Sequence, residues 1–84
     1  MADSRILVVD DEPQILLLIS RFLQREGYEV ETASGGQEAL ERLAESSFVI
    51  VLSDLKMPHL GGIALLEQVS ERYPDMIFIL MTAF

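Results

Sequence analysis

Apolar runs and amphipathic stretches alternate along the chain, and this alternation predicts the order of its elements. Continuous apolar runs over residues 6–9, 48–52 and 77–81 predict strands that are covered on both faces. Residues 28–32 alternate apolar and acidic positions, which predicts a short strand with one polar face. A helical stretch follows every predicted strand except the last.

The first helical stretch begins at Pro13 and is predicted to run to about Glu26. Proline is tolerated at a first helical position because the N–H that it lacks would be unpaired there anyway. The apolar residues of this stretch recur at helical spacing and are expected to face the core. They are Ile15, Leu18, Ile19, Phe22 and Leu23.

Two further helices are predicted. The second spans about residues 36–45, and Ser34 with Gln37 fits a capping box at its start. Its inward positions are expected to be Ala39, Leu40, Leu43 and Ala44. A loop over residues 55–61 precedes the third helix, which is predicted over about residues 63–71.

Strand–helix alternation predicts one α/β domain over residues 1–84, with a parallel sheet, helices on its faces and right-handed connections. In such sheets, ligands bind beyond the carboxyl ends of the strands, where the strand order reverses. Polar residues follow the predicted strands at that end. Asp10 and Asp11 follow the first strand, Asp54 the third and Thr82 the fourth.

Three of these polar residues are candidates for a metal site. If the first and third strands are neighbours, Asp10, Asp11 and Asp54 meet in one crevice. Carboxylates this close repel one another, so they are expected to persist only with a neutralising cation. Oxygen ligands with room for water favour Mg²⁺. A carboxylate beside Mg²⁺ can act as a nucleophile towards a phosphoryl donor, which would give an aspartyl phosphate.

Charge and composition exclude several other functions. Fourteen acidic residues against six basic ones give a net charge of −8, which argues against non-specific binding to nucleic acid. The chain has no cysteine and one histidine, His59, which excludes disulfides and a multi-histidine metal site within one chain. The apolar run over residues 76–81 is too short to span a bilayer. We therefore expect a cytoplasmic chain that contacts neither membrane nor nucleic acid directly.

Simpler interpretations of the same residues remain open. The acids after the first strand could simply cap and stabilise the N-terminus of the first helix. Asp54 could be a turn residue, and Thr82 an ordinary strand residue. A phosphatase of the haloacid-dehalogenase type also uses an aspartyl nucleophile, but its Asp-x-Asp motif is absent because Lys56 stands two residues after Asp54. We expect a signalling module and not an enzyme.

Four segments together resemble the receiver domain of two-component response regulators. They are ILVVDDEP at residues 6–13, VLSDLKMP at residues 51–58, Gly61-Gly62 and Met81-Thr82-Ala83. The C-terminal segment is most similar to receivers of the nitrogen-regulator class of enhancer-binding activators. The resemblance covers the whole chain and implies a flavodoxin-like (CheY-like) parallel sheet of order 2-1-3-4 with helices on both faces. With four strands and three helices, that fold is incomplete.

The resemblance also implies a role for individual residues. Asp54 matches the phosphoacceptor, which takes its phosphoryl group from a histidine kinase. Asp11 matches a direct Mg²⁺ ligand, and Asp10 matches a ligand that acts through water or as a second direct ligand. The backbone carbonyl of Lys56 matches a further Mg²⁺ ligand.

The resemblance is incomplete towards the C-terminus. Thr82 matches the switch hydroxyl of the family, and Ala83 matches the small residue that leaves access to the phosphoryl group. The family's lysine, which lies at the end of a fifth strand, has no counterpart, since Lys56 is the chain's only lysine. The final helix–strand–helix of the family is missing as well. We expect this truncation to impair phosphotransfer more than Mg²⁺ binding.

The same truncation affects how the chain associates. Without a fifth strand, the fourth strand becomes an uncharged, proline-free edge, which is a template for pairing with another chain. We expect a homo-oligomer that forms through the fourth strand or the exposed sheet face. The alternative function is an interaction module that assembles in this way without phosphotransfer.

Overall fold

A computed structural model of the chain describes residues 5–82. Within that range the elements are β1 (Arg5–Val9), α1 (Pro13–Arg25), β2 (Glu29–Ala33), α2 (Gly36–Glu45), β3 (Ile50–Asp54), α3 (Gly62–Arg72) and β4 (Ile77–Met81). The four strands form one parallel sheet in the order β2-β1-β3-β4, which confirms the predicted fold class. None of these helices combines the length and the apolar composition that crossing a membrane requires.

The boundaries of β3 differ from the prediction, which placed this strand over residues 48–52. The strand begins at Ile50 and ends at Asp54, which pairs with Met81 of β4. Phe48 is buried although it lies outside the strand. The apolar run indicated burial, whereas hydrogen bonding to β1 and β4 decides where the strand runs. Asp54 is consequently the last residue of β3, and the loop predicted from residue 55 follows it.

β1 and β2 each include a residue that the apolar pattern did not predict. β1 begins at Arg5, whose guanidinium lies 3.7 Å from the carboxylate of Glu29 and 3.9 Å from that of Glu31, both on β2. β2 ends at the buried Ala33, whereas Tyr28, predicted to open the strand, precedes it and is exposed. Strand pairing brings these charged and small residues into the sheet, and a search for apolar runs does not detect them.

The helices cover the two faces of the sheet unequally. α2 and α3 contact each other on one face, over a core that includes Leu7, Val51, Leu65 and Val69. α1 lies on the opposite face, where it contacts β1 and β2. Ile6 of β1 points to that face and is only 2% exposed. Both central strands are therefore covered on the side of α2 and α3. On the side of α1, β1 is buried, whereas Ile50 and Leu52 of β3 are only partly buried.

The prediction that the apolar stripe of α1 belongs to the core is wrong. No residue of α1 is buried; Leu18 and Phe22 are 67% and 60% exposed, and the other members of the stripe are partly buried. On the same side of the sheet, Ile77 and Ile79 of β4 are 52% and 44% exposed. The reason is that α1 packs over β1 and β2 and leaves the outer strand uncovered. Amphipathicity identified the apolar side of the helix but not what packs against it.

α2 has the predicted bounds but a different N-terminal arrangement. Oε1 of Glu38, and not a group of Gln37, accepts hydrogen bonds from the backbone N–H and the hydroxyl of Ser34, both at 2.8 Å. These bonds lower the pKa of Glu38 below its ordinary value, because they stabilise the carboxylate. Ala44, predicted to face inward, is exposed because the helix turns it away from the sheet.

Candidate functional site

β1 and β3 are neighbours in the parallel sheet, so the residues at their carboxyl ends lie at the same rim. Val9 of β1 pairs with Ser53 of β3, and Asp10 and Asp54 follow these two residues. The structure brings Asp10, Asp11 and Asp54 together, since one carboxylate oxygen from each lies within 4.8 Å of the others. β1 and β3 are therefore adjacent, as the prediction of this site from the sequence required.

The three carboxylates differ in exposure. Asp10 is buried, with 5% of its surface exposed, whereas Asp54 is partly buried and Asp11 is exposed. Burial is the main cause that raises the pKa of Asp10 above its ordinary value. The N–H of Glu12 donates to Oδ1 of Asp10 (2.9 Å) and opposes that shift, while the neighbouring negative charges add to it. The ionised form of Asp10 is thus destabilised in the folded chain.

The donor set of this site fits a hard divalent cation. All three side chains offer oxygen atoms and negative charge, which Mg²⁺ prefers over nitrogen or sulfur ligands. A cation would also offset the repulsion that raises the pKa of Asp10. Because Asp11 is exposed and Asp54 is only partly buried, one side of the cluster faces solvent, where waters or phosphoryl oxygens can complete the coordination.

Helix capping explains only part of this arrangement. The N-cap residue of α1 is Glu12, and its side chain makes no capping hydrogen bond. The bond from the N–H of Glu12 to Asp10 is a local contact at the start of the helix. It accounts for the position of Asp10 but not for the approach of Asp54, which comes from a different strand.

Lys56 lies just beyond β3 in the loop over residues 55–61. Leu55, the residue before Lys56, is held by two backbone hydrogen bonds. Its N–H donates to the carbonyl of Met81 (2.9 Å), and its carbonyl accepts from the N–H of Gly62 (3.0 Å). Lys56 is exposed and follows this anchored position directly. Its backbone therefore begins the loop at the rim that carries the acids.

Thr82 follows the last residue of β4. Because Asp54 pairs with Met81, Thr82 stands one residue beyond the partner of Asp54, at the same rim, and it is exposed. Ala83 lies outside the described residues. His59, expected at the surface, is exposed in the loop.

Two supports of Asp54 were missed by the sequence analysis. A Cβ on Gly62 would collide with the backbone carbonyl of Asp54, so α3 can begin this close to β3 only with glycine there. Ser53 is fully buried, and its hydroxyl donates to the same carbonyl (3.0 Å). The signals were a glycine pair after a loop and a serine beside an apolar run, and neither is specific without the sheet register.

The family model of the response regulator receiver domain matches residues 6–84 of the chain, which includes every acid of the cluster. The chain belongs to this receiver family. It is similar to the DNA-binding transcriptional regulator NtrC of Escherichia coli K12, with 40% identity over 78 residues. That alignment covers 93% of this chain but 17% of NtrC, so the receiver chain spans a small part of this relative.

Two solved structures of one relative show the same fold. The response regulator TrrA of Thermotoga maritima, in complex with Mg²⁺-BeF, matches this receiver with 41% identity and a TM-score of 0.93. The match covers 96% of this chain and 70% of TrrA. TrrA in complex with the histidine kinase ThkA matches with a TM-score of 0.90 and the same identity and coverage.

Proposed function

We propose that Asp54 accepts a phosphoryl group from the phosphohistidine of a histidine kinase, with Mg²⁺ held by the acidic site. The observation that carries this proposal is the approach of Asp10, Asp11 and Asp54 within 4.8 Å at one rim of the sheet. In TrrA, a receiver of 41% identity, the solved complexes contain Mg²⁺-BeF and a histidine kinase. We assign the direct metal contacts to Asp11 and Asp54, a contact direct or through water to Asp10, and a further contact to the backbone carbonyl of Lys56.

The proposed transfer is an in-line displacement at phosphorus. An Oδ atom of Asp54 forms the new P–O bond while the P–N bond to histidine breaks. The electron pair of that bond returns to the imidazole nitrogen, and a proton from solvent keeps the leaving imidazole neutral. Mg²⁺, when bound, neutralises charge on the phosphoryl oxygens. The chain contributes position: β3 ends at Asp54, the hydroxyl of Ser53 donates to the backbone carbonyl of Asp54, and Gly62 leaves room for that carbonyl.

Thr82 is the proposed switch residue. Phosphorylation replaces the single negative charge of the Asp54 carboxylate by a phosphoryl group that carries about 1.5–2 negative charges beside the end of β4. A hydroxyl at Thr82 can donate to a phosphoryl oxygen, because this residue stands one position beyond the partner of Asp54 and is exposed. Its movement towards the phosphoryl group would couple the modification to the surface around β4.

We also propose that residues 1–84 form the larger part of one receiver domain. The chain covers 70% of TrrA, and it has no lysine other than Lys56. Residues 1–84 thus contain the proposed metal ligands but no counterpart of the lysine that the family places near the phosphoryl group. We expect slow phosphotransfer and nearly intact Mg²⁺ binding.

With a net charge of −8 and no cysteine, we propose a cytoplasmic module that does not touch nucleic acid directly.

The test is phosphorylation by phosphoramidate, which carries the same P–N bond as phosphohistidine, with and without Mg²⁺. We expect a mass increase of one phosphoryl group on residue 54, only with Mg²⁺, and faster transfer in a version of the chain extended by the helix–strand–helix that completes receivers of this family. Equal rates in both versions would show that the missing lysine is dispensable. No modification of either version would refute the proposal.

A second proposed property is self-association through β4. This strand is the outer strand of the sheet in the described residues. Ile77 and Ile79 lie on the face that carries α1, but α1 does not reach them and about half of their surface is exposed. An exposed, uncharged outer strand pairs readily with a second copy. If the chain acts only as an interaction module, this surface and not Asp54 carries its function.

Replacing Ile79 by lysine is expected to abolish this association. A charge on the outer strand would have to be desolvated in any strand–strand or face-to-face contact. Sedimentation should show species larger than 9.4 kDa for the unchanged chain and a 9.4 kDa monomer for Ile79→Lys. Leu17→Lys, which adds the same charge at a comparably exposed position on α1, is the control and should still associate. An unchanged chain that sediments as a monomer would contradict the proposal.

A further inference from the structure

The loop over residues 55–61 is anchored at both ends, and its far anchor is a close contact with α2. Its near end is fixed by the hydrogen bonds of Leu55 to β4 and α3. Its far end meets Gly36, the first residue of α2. A Cβ built on Gly36 would lie 2.7 Å from the carbonyl oxygen of Leu60, 2.8 Å from its Cδ2 and 2.9 Å from its Cβ. No side chain fits at position 36 without movement.

The loop is the part that must yield if position 36 carries a side chain. The carbonyl oxygen and Cβ of Leu60 belong to or adjoin the backbone, so a change of side-chain rotamer cannot clear them. α2 is held by Ala39 and Leu43, which are buried in the core, and by the sheet beneath them. In the loop, by contrast, Pro58 and His59 are exposed. The more exposed segment offers less resistance to displacement.

The conformation of the loop is also one that its own sequence does not favour. His59 has a φ of 67°, in the left-handed region that residues other than glycine seldom adopt. Such a residue keeps this conformation only when the surrounding contacts hold it there. Leu60, the next residue, packs against the core and against Gly36 and supplies such a contact.

We infer that Gly36 is a positioning residue: its lack of a side chain sets the path of the loop and thereby the placement of the Lys56 carbonyl at the acidic site. This inference rests on the proposed metal role of that carbonyl. Mg²⁺ demands near-ideal octahedral geometry, so a displacement of a fraction of an ångström in one ligand lowers its affinity. The three heavy atoms nearest to a Cβ at position 36 all belong to Leu60, so Gly36 acts through Leu60.

The experiment compares Gly36→Ala with Gly35→Ala. A Cβ on Gly35 has no heavy atom within 4 Å, so the control adds the same methyl group one residue away, in open space. Titration calorimetry should give an Mg²⁺ affinity about tenfold weaker for Gly36→Ala, the scale seen when a supporting residue of a metal ligand is lost. Gly35→Ala should bind as the unchanged chain does. In metal-free spectra, amide shifts should change across residues 56–60 only in Gly36→Ala.

Thermal unfolding without metal shows whether the Gly36→Ala chain is folded, so that a loss of Mg²⁺ affinity can be told apart from a loss of structure. A folded Gly36→Ala chain with unchanged Mg²⁺ affinity and shifts confined to α2 would overturn the inference. If Gly36→Ala does not fold, Leu60→Val loosens the same contact without a clash, and it should also weaken Mg²⁺ binding; unchanged binding would overturn the inference. An unchanged chain that fails to bind Mg²⁺ would instead refute the proposed function itself.

Discussion

Asparagine in place of Asp54 is expected to abolish phosphoryl transfer to the chain. The carboxamide keeps the shape of the side chain, but it has no anionic oxygen to attack phosphorus. The rate should fall on the order of 10⁴-fold or more, as when an enzyme loses its nucleophile. The fold should persist, because Asp54 joins β3 through its backbone, and the backbone carbonyl that Ser53 and Gly62 support is unchanged.

The measurement is the mass of the chain after incubation with phosphoramidate and Mg²⁺. Asp75→Asn is the matched control, since Asp75 is an exposed aspartate before β4, at the opposite rim of the sheet. It should accept a phosphoryl group as the unchanged chain does. Modification of Asp54→Asn at the normal rate would assign the phosphoacceptor to another residue.

Replacing Asp10 with asparagine is expected to stabilise the metal-free chain and to weaken its Mg²⁺ binding. The ionised carboxylate of Asp10 is buried beside Asp54 and Asp11, and asparagine removes its charge while Oδ1 can still accept the bond from the N–H of Glu12. Because burial and the neighbouring charges disfavour the ionised carboxylate in the folded chain, removing its charge should raise the free energy of unfolding, and Tm with it.

The pH dependence of this gain follows from the direction of the shift. Because folding raises the pKa of Asp10, the folded chain binds that proton more tightly than the unfolded chain does. The stability that this proton gives the unchanged chain is fully present below the ordinary pKa of 3.8 and is lost as pH rises through the raised pKa. Unfolding curves of the unchanged chain and of Asp10→Asn should therefore converge in acid and separate towards neutral pH. A metal-free Asp10→Asn chain less stable than the unchanged one would contradict this account.

Excess Mg²⁺ should reverse the ranking of the two chains. The cation binds the folded state and stabilises it by an amount that grows with the logarithm of its affinity, and that affinity is higher when Asp10 keeps its charge. Asp11→Asn is the companion variant: Asp11 is exposed, so its replacement should weaken Mg²⁺ binding with a smaller gain in metal-free stability. Equal Mg²⁺ affinities in Asp10→Asn and the unchanged chain would show that Asp10 takes no part in the site.

Much of the fold was predictable because it depends on local periodicity. α2 and β4 have the bounds that the apolar pattern indicates, since helical spacing and an apolar run both report which side chains are buried. β3 was shifted by two residues, because Phe48 is buried without pairing and Asp54 is paired without being apolar. In the middle of a strand, the apolar residues are also the ones that pair with neighbouring strands. At the ends of a strand, a residue can be buried without pairing or paired without being apolar.

The order of the elements, the rim of the sheet at which the acids lie and the family resemblance could all be read from the amino-acid sequence. The burial of Asp10 beside an exposed Asp11, the contact of Gly36 with Leu60 and the uncovered face of β4 could not. The two groups of features differ in the range of the interactions that produce them. Periodicity and strand-end rules act over a few residues, whereas these contacts join segments that only the packing of whole helices on the sheet brings together.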